Sequence, residues 1–169
     1  EMPFSLSETN SDTWNILAVY QLLTKLHGHL GHHSETVRLT IRRLDFMREH
    51  GLAPDNSGTW YINWLTDYGK AYEGTDTYGF IAYRLAWLYV ERSKLFNETE
   101  HTEYRNDLAT ALALFKQSLK TPSANVLNQN ADYISDAKDC IKSIENKYVK
   151  AELEEEPVPV GEPQLCRIQ

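Results

Sequence analysis

The feature that most restricts this chain is the period of its apolar residues. From about residue 11 to residue 152 they recur at i, i+3, i+4 and i+7, and stretches that alternate apolar with polar are scarce. A 3.6-residue period lays an apolar stripe along one side of a helix, whereas a half-buried strand needs a period of two. The chain therefore predicts an all-α fold. Its 169 residues suit one domain with a single core. At that length folding hides roughly 70% of the extended chain's surface without disulfides or metals.

About six helices are expected. The first covers 11–26, capped by Asn10 or Ser11, with Trp14, Leu17, Leu22, Leu23 and Leu26 as its apolar residues. His27 to His33 reads as a connection broken by glycines. The second covers 35–49, with Ser34 as cap, Gly51 and Pro54 as the stop, and Val37, Ile41, Leu44 and Met47 inward. The third and fourth cover 58–71 and 77–95, with Thr75 or Asp76 capping the fourth. The fifth runs over 103–120 from a Thr102 cap to Pro122, with Leu108, Ala111, Leu112, Phe115 and Leu119 inward. The last begins between Ser123 and Asp132 and reaches about Glu152, along the series Tyr133, Ile134, Ala137, Cys140, Ile141, Ile144 and Tyr148.

Short loops make consecutive helices antiparallel, so the six pair as three helical hairpins, stacked as a short solenoid or closed into a compact bundle. A short internal match fits the pairing: Thr13-Trp14-Asn15-Ile16 in the first helix and Thr59-Trp60-Tyr61-Ile62 in the third, with Glu103-Tyr104 at the matching place in the fifth. Residues 1–10 are expected to be a disordered N-terminal segment, 11–153 the helical domain, and 154–169 an acidic, Pro-rich disordered tail.

Charge argues about partners. The formal charge of −7 is mildly acidic, and residues 151–169 with five Glu and one Arg supply −4 of it. Nucleic-acid binders need a basic stripe to neutralise phosphates. The one basic cluster, Arg38, Arg42, Arg43 and Arg48, is offset by Glu35, Asp45 and Glu49 and reads as a solvated helix face. No run of 18 apolar residues exists, and Glu1-Met2-Pro3-Phe4 is not the start of a signal peptide. Membrane contact is expected only through a segment absent from this chain. Cys140 falls in a core series and Cys166 in the tail, with no metal or redox spacing between them.

The string Leu44-Asp45-Phe46-Met47-Arg48-Glu49-His50-Gly51-Leu52-Ala53-Pro54-Asp55 resembles the end of a pentatricopeptide repeat. Thr59-Trp60-Tyr61-Ile62-Asn63-Trp64-Leu65 and Tyr68-Gly69-Lys70-Ala71 resemble the opening helix of the next. The chain is thus similar to helical-repeat proteins of the tetratricopeptide and pentatricopeptide group. That resemblance implies a groove for protein or RNA and, for pentatricopeptide proteins, a mitochondrial or other organellar setting. More faintly, the chain resembles a small all-helical, membrane-anchored mitochondrial protein of kinetoplastids. The hairpin spacing of 44–46 residues departs from the ~34-residue tetratricopeptide unit. The base-reading place of the third helix falls on Tyr61 or Ile62, neither a typical reader of bases.

Residues 60–89 hold ten of the 19 aromatics. Trp60, Trp64 and Tyr68 form one i, i+4 stripe and Phe80, Tyr83 and Trp87 a facing one, which would zip a hairpin together. Tyr61, Tyr68 and Tyr72 are the candidate lining of a partner-binding groove, where amphipathic rings anchor a peptide or helix. His27, His29, His32 and His33 include one i, i+4 pair with metal-ligand spacing, but Gly28 and Gly31 interrupt it and no acid or cysteine completes it. No metal or other cofactor is expected. Asp132 and Asp136 read as solvated carboxylates, and Asn97-Glu98-Thr99 fits a glycosylation sequon. With no phosphate loop, nucleophile elbow or zinc-protease motif, no enzyme is expected. The sequence predicts a non-catalytic scaffold that holds a protein partner in a groove, with self-association through an uncapped terminal face. An RNA-binding pentatricopeptide-like protein is the alternative.

Overall fold

The computed structural model describes residues 6–55, 57–96, 101–120 and 131–154. They form α1 (Leu6–His29), α2 (His33–Glu49), α3 (Thr59–Gly69), α4 (Tyr78–Ser93), α5 (His101–Ser118) and α6 (Ala131–Glu154), with a 3-10 turn at Lys70–Tyr72 prolonging α3. No strand occurs among the described residues. The fold is all-α, as the periodicity predicts. Residues 1–5 of the expected N-terminal segment, and the acidic tail beyond Glu154, lie outside the described residues.

The helix starts are less well foreseen than the helices. α1 begins at Leu6, so Asn10 and Ser11 lie within it rather than capping it. It also runs through His27 and Gly28, because one helical glycine costs only about 1 kcal/mol while the ladder continues, with Leu30 N donating to Leu26 O over 3.1 Å. The connection shrinks to residues 30–32, too short for α2 to do anything but fold back along α1. α2 starts at His33, with Ser34 inside it, and α5 starts at His101, with Thr102 inside it. Thr75 closes the turn before α4 by donating to Tyr72 O at 2.6 Å and caps nothing.

Two ends are built as devices legible in the residues. At the end of α2 the Gly51 amide donates to Arg48 O and the Leu52 amide to Met47 O. That paired arrangement requires a left-handed residue, and Gly51 sits at φ +68°. α3 is opened from outside: Asp55 Oδ1 accepts from the amides of Ser57 (3.0 Å) and Gly58 (3.1 Å) and from Ser57 Oγ (2.8 Å). The Ser57 hydroxyl above all, helped by these amides, holds the Asp55 carboxyl below its usual range.

The buried side chains form two clusters rather than the single core expected. Val37, Ile41 and Leu44 of α2 meet Tyr61, Ile62 and Leu65 of α3 and Ile81, Leu85 and Leu88 of α4. Ala86 of α4 meets Leu108, Ala111 and Phe115 of α5 and Ala137 and Ile144 of α6. α4 is thus a shared wall, apolar on two faces, and Tyr89 and Leu114 touch both clusters. α3 and α4 approach closely where a Cβ at Gly69 would stand 3.0 Å from Ile81 Cγ2. Across the α4–α5 contact Arg92 grips Asp107 with two bonds, Nε to Oδ2 at 2.8 Å and Nη2 to Oδ1 at 2.7 Å. The inward residues expected for α2, α5 and α6 are buried or half-buried as their spacing requires. The two matching strings do not occupy matching places. Ile62 is buried at the opening of α3, whereas Ile16 is exposed within α1.

Candidate functional site

The three tyrosines expected to line one groove are not brought together in that way. Tyr61 is fully buried in the first cluster and is no part of an open surface, which corrects its assignment. It shares a face of α3 with Ile62 and Leu65, and that face is the one α3 turns to α2 and α4. Its hydroxyl donates to Asp45 Oδ1 at 2.9 Å, and the Arg84 guanidinium lies over its ring at 5.8 Å while bonding the same carboxylate. Burial first, and the Asp45 charge second, push the Tyr61 hydroxyl well above the ordinary tyrosine value. It is a neutral structural donor.

Tyr68 and Tyr72 are half-buried beside α2. Trp64 stacks on Tyr68 at 5.1 Å, the Tyr68 and Tyr72 hydroxyls stand 3.4 Å apart, and Thr40 Oγ1 reaches Tyr68 at 3.4 Å. Arg43 lies over the Trp64 ring at 6.0 Å, and His33 meets Tyr72 edge-on at 6.2 Å. Of the stripe expected from the i, i+4 spacing, Trp64 and Tyr68 stack and meet α2, whereas Trp60 stacks on Tyr61. Phe80, Tyr83 and Trp87 do not face that stripe; their rings meet Tyr133 of α6 and Phe115 of α5.

Above Tyr61 lies a groove of about 560 Å³ between α2 and α4, lined by Asp45, Arg48, Glu49, Arg84, Glu91 and Lys94. Three acids and three bases face it, and Arg48 bridges it to Glu91 at 2.6 Å. Such a lining can hold a partner with a matching charge pattern through rim contacts. Asp45 pairs with Arg84 across it, as Glu91 does with Arg48.

The least expected surface is α1. Among the described side chains of this helix, Leu17 is the one large apolar residue that is buried; it stands by Arg43 and Met47 of α2, and the Tyr20 ring is 6.0 Å from Phe46. Trp14, Leu22, Leu23 and Leu26, the other apolar residues expected of this helix, are exposed at 60%, 67%, 38% and 53%. Ile16, Val19 and Leu30 are exposed beside them. A typical monomer's largest apolar patch covers about 300–600 Å², and such patches mark contact sites. The signal was present in the sequence. A helix apolar on more than one side cannot be satisfied by a single neighbour.

The histidines do not assemble into a metal site. His27 Nδ1 and His32 Nδ1 stand 3.1 Å apart, His29 ends α1, and His33 turns to Tyr72. No group of three His, Cys, Asp or Glu side chains placed for a metal occurs among the described residues. Asp136 is not a solvated carboxylate, for it accepts from the Tyr83 hydroxyl at 2.5 Å and the Trp87 indole at 3.0 Å, tying α6 to α4. Of the basic cluster, Arg38 pairs with Glu35, Arg43 covers Trp64 and Arg48 pairs with Glu91. Among the described residues no helix is long and apolar enough to cross a membrane. No family model, no curated protein and no solved structure matches this chain. What it does must be argued from its own residues.

Proposed function

We propose that the protein is a non-catalytic protein–protein interaction scaffold that works through its helix faces. The observation that carries this reading is α1, which together with Leu30 just beyond it exposes seven large apolar side chains, while the described core residues of the other helices gather in two clusters. An exposed apolar patch at the top of the range that monomers carry marks a contact site. The α2–α4 groove, with its paired charges, is a second contact surface of the polar kind that selects among partners.

The test is photo-cross-linking in the native cell, with a photoreactive phenylalanine analogue at position 22 on α1 or at position 94 in the groove. The expected result is a discrete cross-linked protein from position 22. A folded chain that cross-links to no protein from either position would refute the scaffold reading.

A further inference from the structure

We infer that the exposed face of α1 is a self-pairing surface, and that its occupant is α1 of a second copy of this chain. The inference rests on the scaffold reading and names its partner. Ile16, Val19, Leu23, Leu26 and Leu30 are separated by three, four, three and four residues. That spacing is the seam of a paired helix, in which each side chain drops between residues of the facing helix. All five are exposed. Leu17 and Tyr20, which α1 uses on α2, belong to a different face. α1 therefore carries two seams, one spent within the chain and one left open.

Charge favours a copy of the same chain. A self-interface places like beside like, so charged residues are costly there. Between Thr13 and Ser34 the only Lys, Arg, Asp or Glu is Lys25, in a chain that is 24% charged. The seam ends where the next position of the pattern falls on Asp12 on one side and where Gly31 breaks the helix on the other. Area agrees as well. Together with Leu22, the exposed seam residues leave on the order of 600 Å² in water per chain, so pairing two copies covers at most roughly 1,200 Å², the lower edge of a stable interface. Two heptads would not hold free peptides together, but α1 is already fixed along α2, and pairing merges two α1–α2 hairpins into four packed helices. A lipid surface fits less well, because helices that lie on membranes carry Lys and Arg on their polar face, whereas this one offers Lys25 alone on a chain of net charge −7.

The experiment is sedimentation equilibrium of the full chain at concentrations up to roughly 100 μM, where even a micromolar dimer is assembled. A dimer is expected, with hydrogen exchange of residues 16–30 slowing as the chain is concentrated. Leu23→Glu with Leu26→Glu, both at exposed sites, is expected to raise the dimer dissociation constant at least ~100-fold with far-UV dichroism unchanged. A wild-type chain that stays monomeric, or a dimer whose concentration-dependent protection falls on another helix, overturns the proposal. So does a monomer that binds phosphatidylcholine vesicles through α1. Should position 22 cross-link only to a different protein while the chain is monomeric, self-pairing falls and the scaffold reading stands.

Discussion

Asp107→Asn is the perturbation that most directly tests how α4 is held. Asp107 is 5% exposed and takes both prongs of the Arg92 guanidinium at 2.8 and 2.7 Å. The substitution keeps the shape, removes the charge and turns an N–H toward a donor. A charge-assisted hydrogen bond is worth about 1.5–3 kcal/mol, and stranding a fully buried charge costs about 3–5 kcal/mol. The Arg92 side chain keeps 23% of its exposure and lies over the Tyr89 ring at 5.1 Å, so water and the ring offset part of that loss. The expected destabilisation is about 2–3 kcal/mol, or a fall in Tm of roughly 5–10 °C for a chain of this size.

Urea unfolding followed by far-UV dichroism, at one fixed protein concentration, measures it. The midpoint falls while the slope stays constant. Arg92→Met in the Asp107→Asn background removes the stranded cation, so the double variant should lose at least ~1 kcal/mol less than the sum of the two single losses. A loss under about 0.5 kcal/mol for Asp107→Asn, or additive losses in the cycle, would show that the pair does not hold α4 to α5.

Phe115→Ala empties a fully buried site against the Tyr83 and Trp87 rings, 6.0 and 6.1 Å away; it should cost about 3–5 kcal/mol in the same urea assay, whereas Leu22→Ala, exposed at 67%, should cost under ~0.5 kcal/mol in dilute protein. Burial and then the Asp136 charge push the Cys140 thiol up to about 11 from an ordinary 9.0. The native chain thus holds that proton where the unfolded chain gives it up, and the contribution to stability is complete below pH 9 and lost as pH rises through 11. Tyr61, Tyr72 and Tyr83 are shifted the same way above their ordinary 10.0, so the urea midpoint should hold to pH 9 and fall steadily beyond pH 10. In a Cys166→Ser background, Cys140 should react with a thiol reagent at pH 8 at least ~10-fold more slowly folded than unfolded.

The parts of the fold that could be read in advance are the helices with a single apolar series turned to the core. α2, α5 and α6 each carry a single inward series, and Val37, Phe115 and Ala137 are buried where the period puts them. Tyr61 could not be placed that way. A tyrosine suits a core or a groove equally by composition, and what decides between them is Asp45 and Arg84, which lie 16 and 23 positions away with no local spacing to announce them. The same holds for Asp136. Its partners Tyr83 and Trp87 are 53 and 49 positions distant, and a carboxylate on a helix reads as solvated until a donor is folded onto it. Helix starts failed for a different cause: Ser34 and Thr102 are good caps by residue type, yet each helix begins one residue before them.

α1 shows that a helical period does not by itself say which apolar residues a neighbour will cover. Its apolar residues fall into two series. One, containing Leu17 and Tyr20, mixes aliphatic with aromatic groups, and the other, from Ile16 to Leu30, is wholly aliphatic. A helix alone with one neighbour gains most by burying the aliphatic series, since each such side chain removed from water is worth about 1.5–3 kcal/mol. α1 does the reverse. It sets Tyr20 beside Phe46 and Leu17 in the contact with α2 and leaves Ile16, Val19, Leu23, Leu26 and Leu30 in water. Phe46 is itself stacked on His50 at 3.9 Å, so the surface α2 presents suits a ring better than a row of branched aliphatic groups. The better seam is left free because the poorer one satisfies α2, an economy that makes physical sense for a chain that meets its own copy along that side.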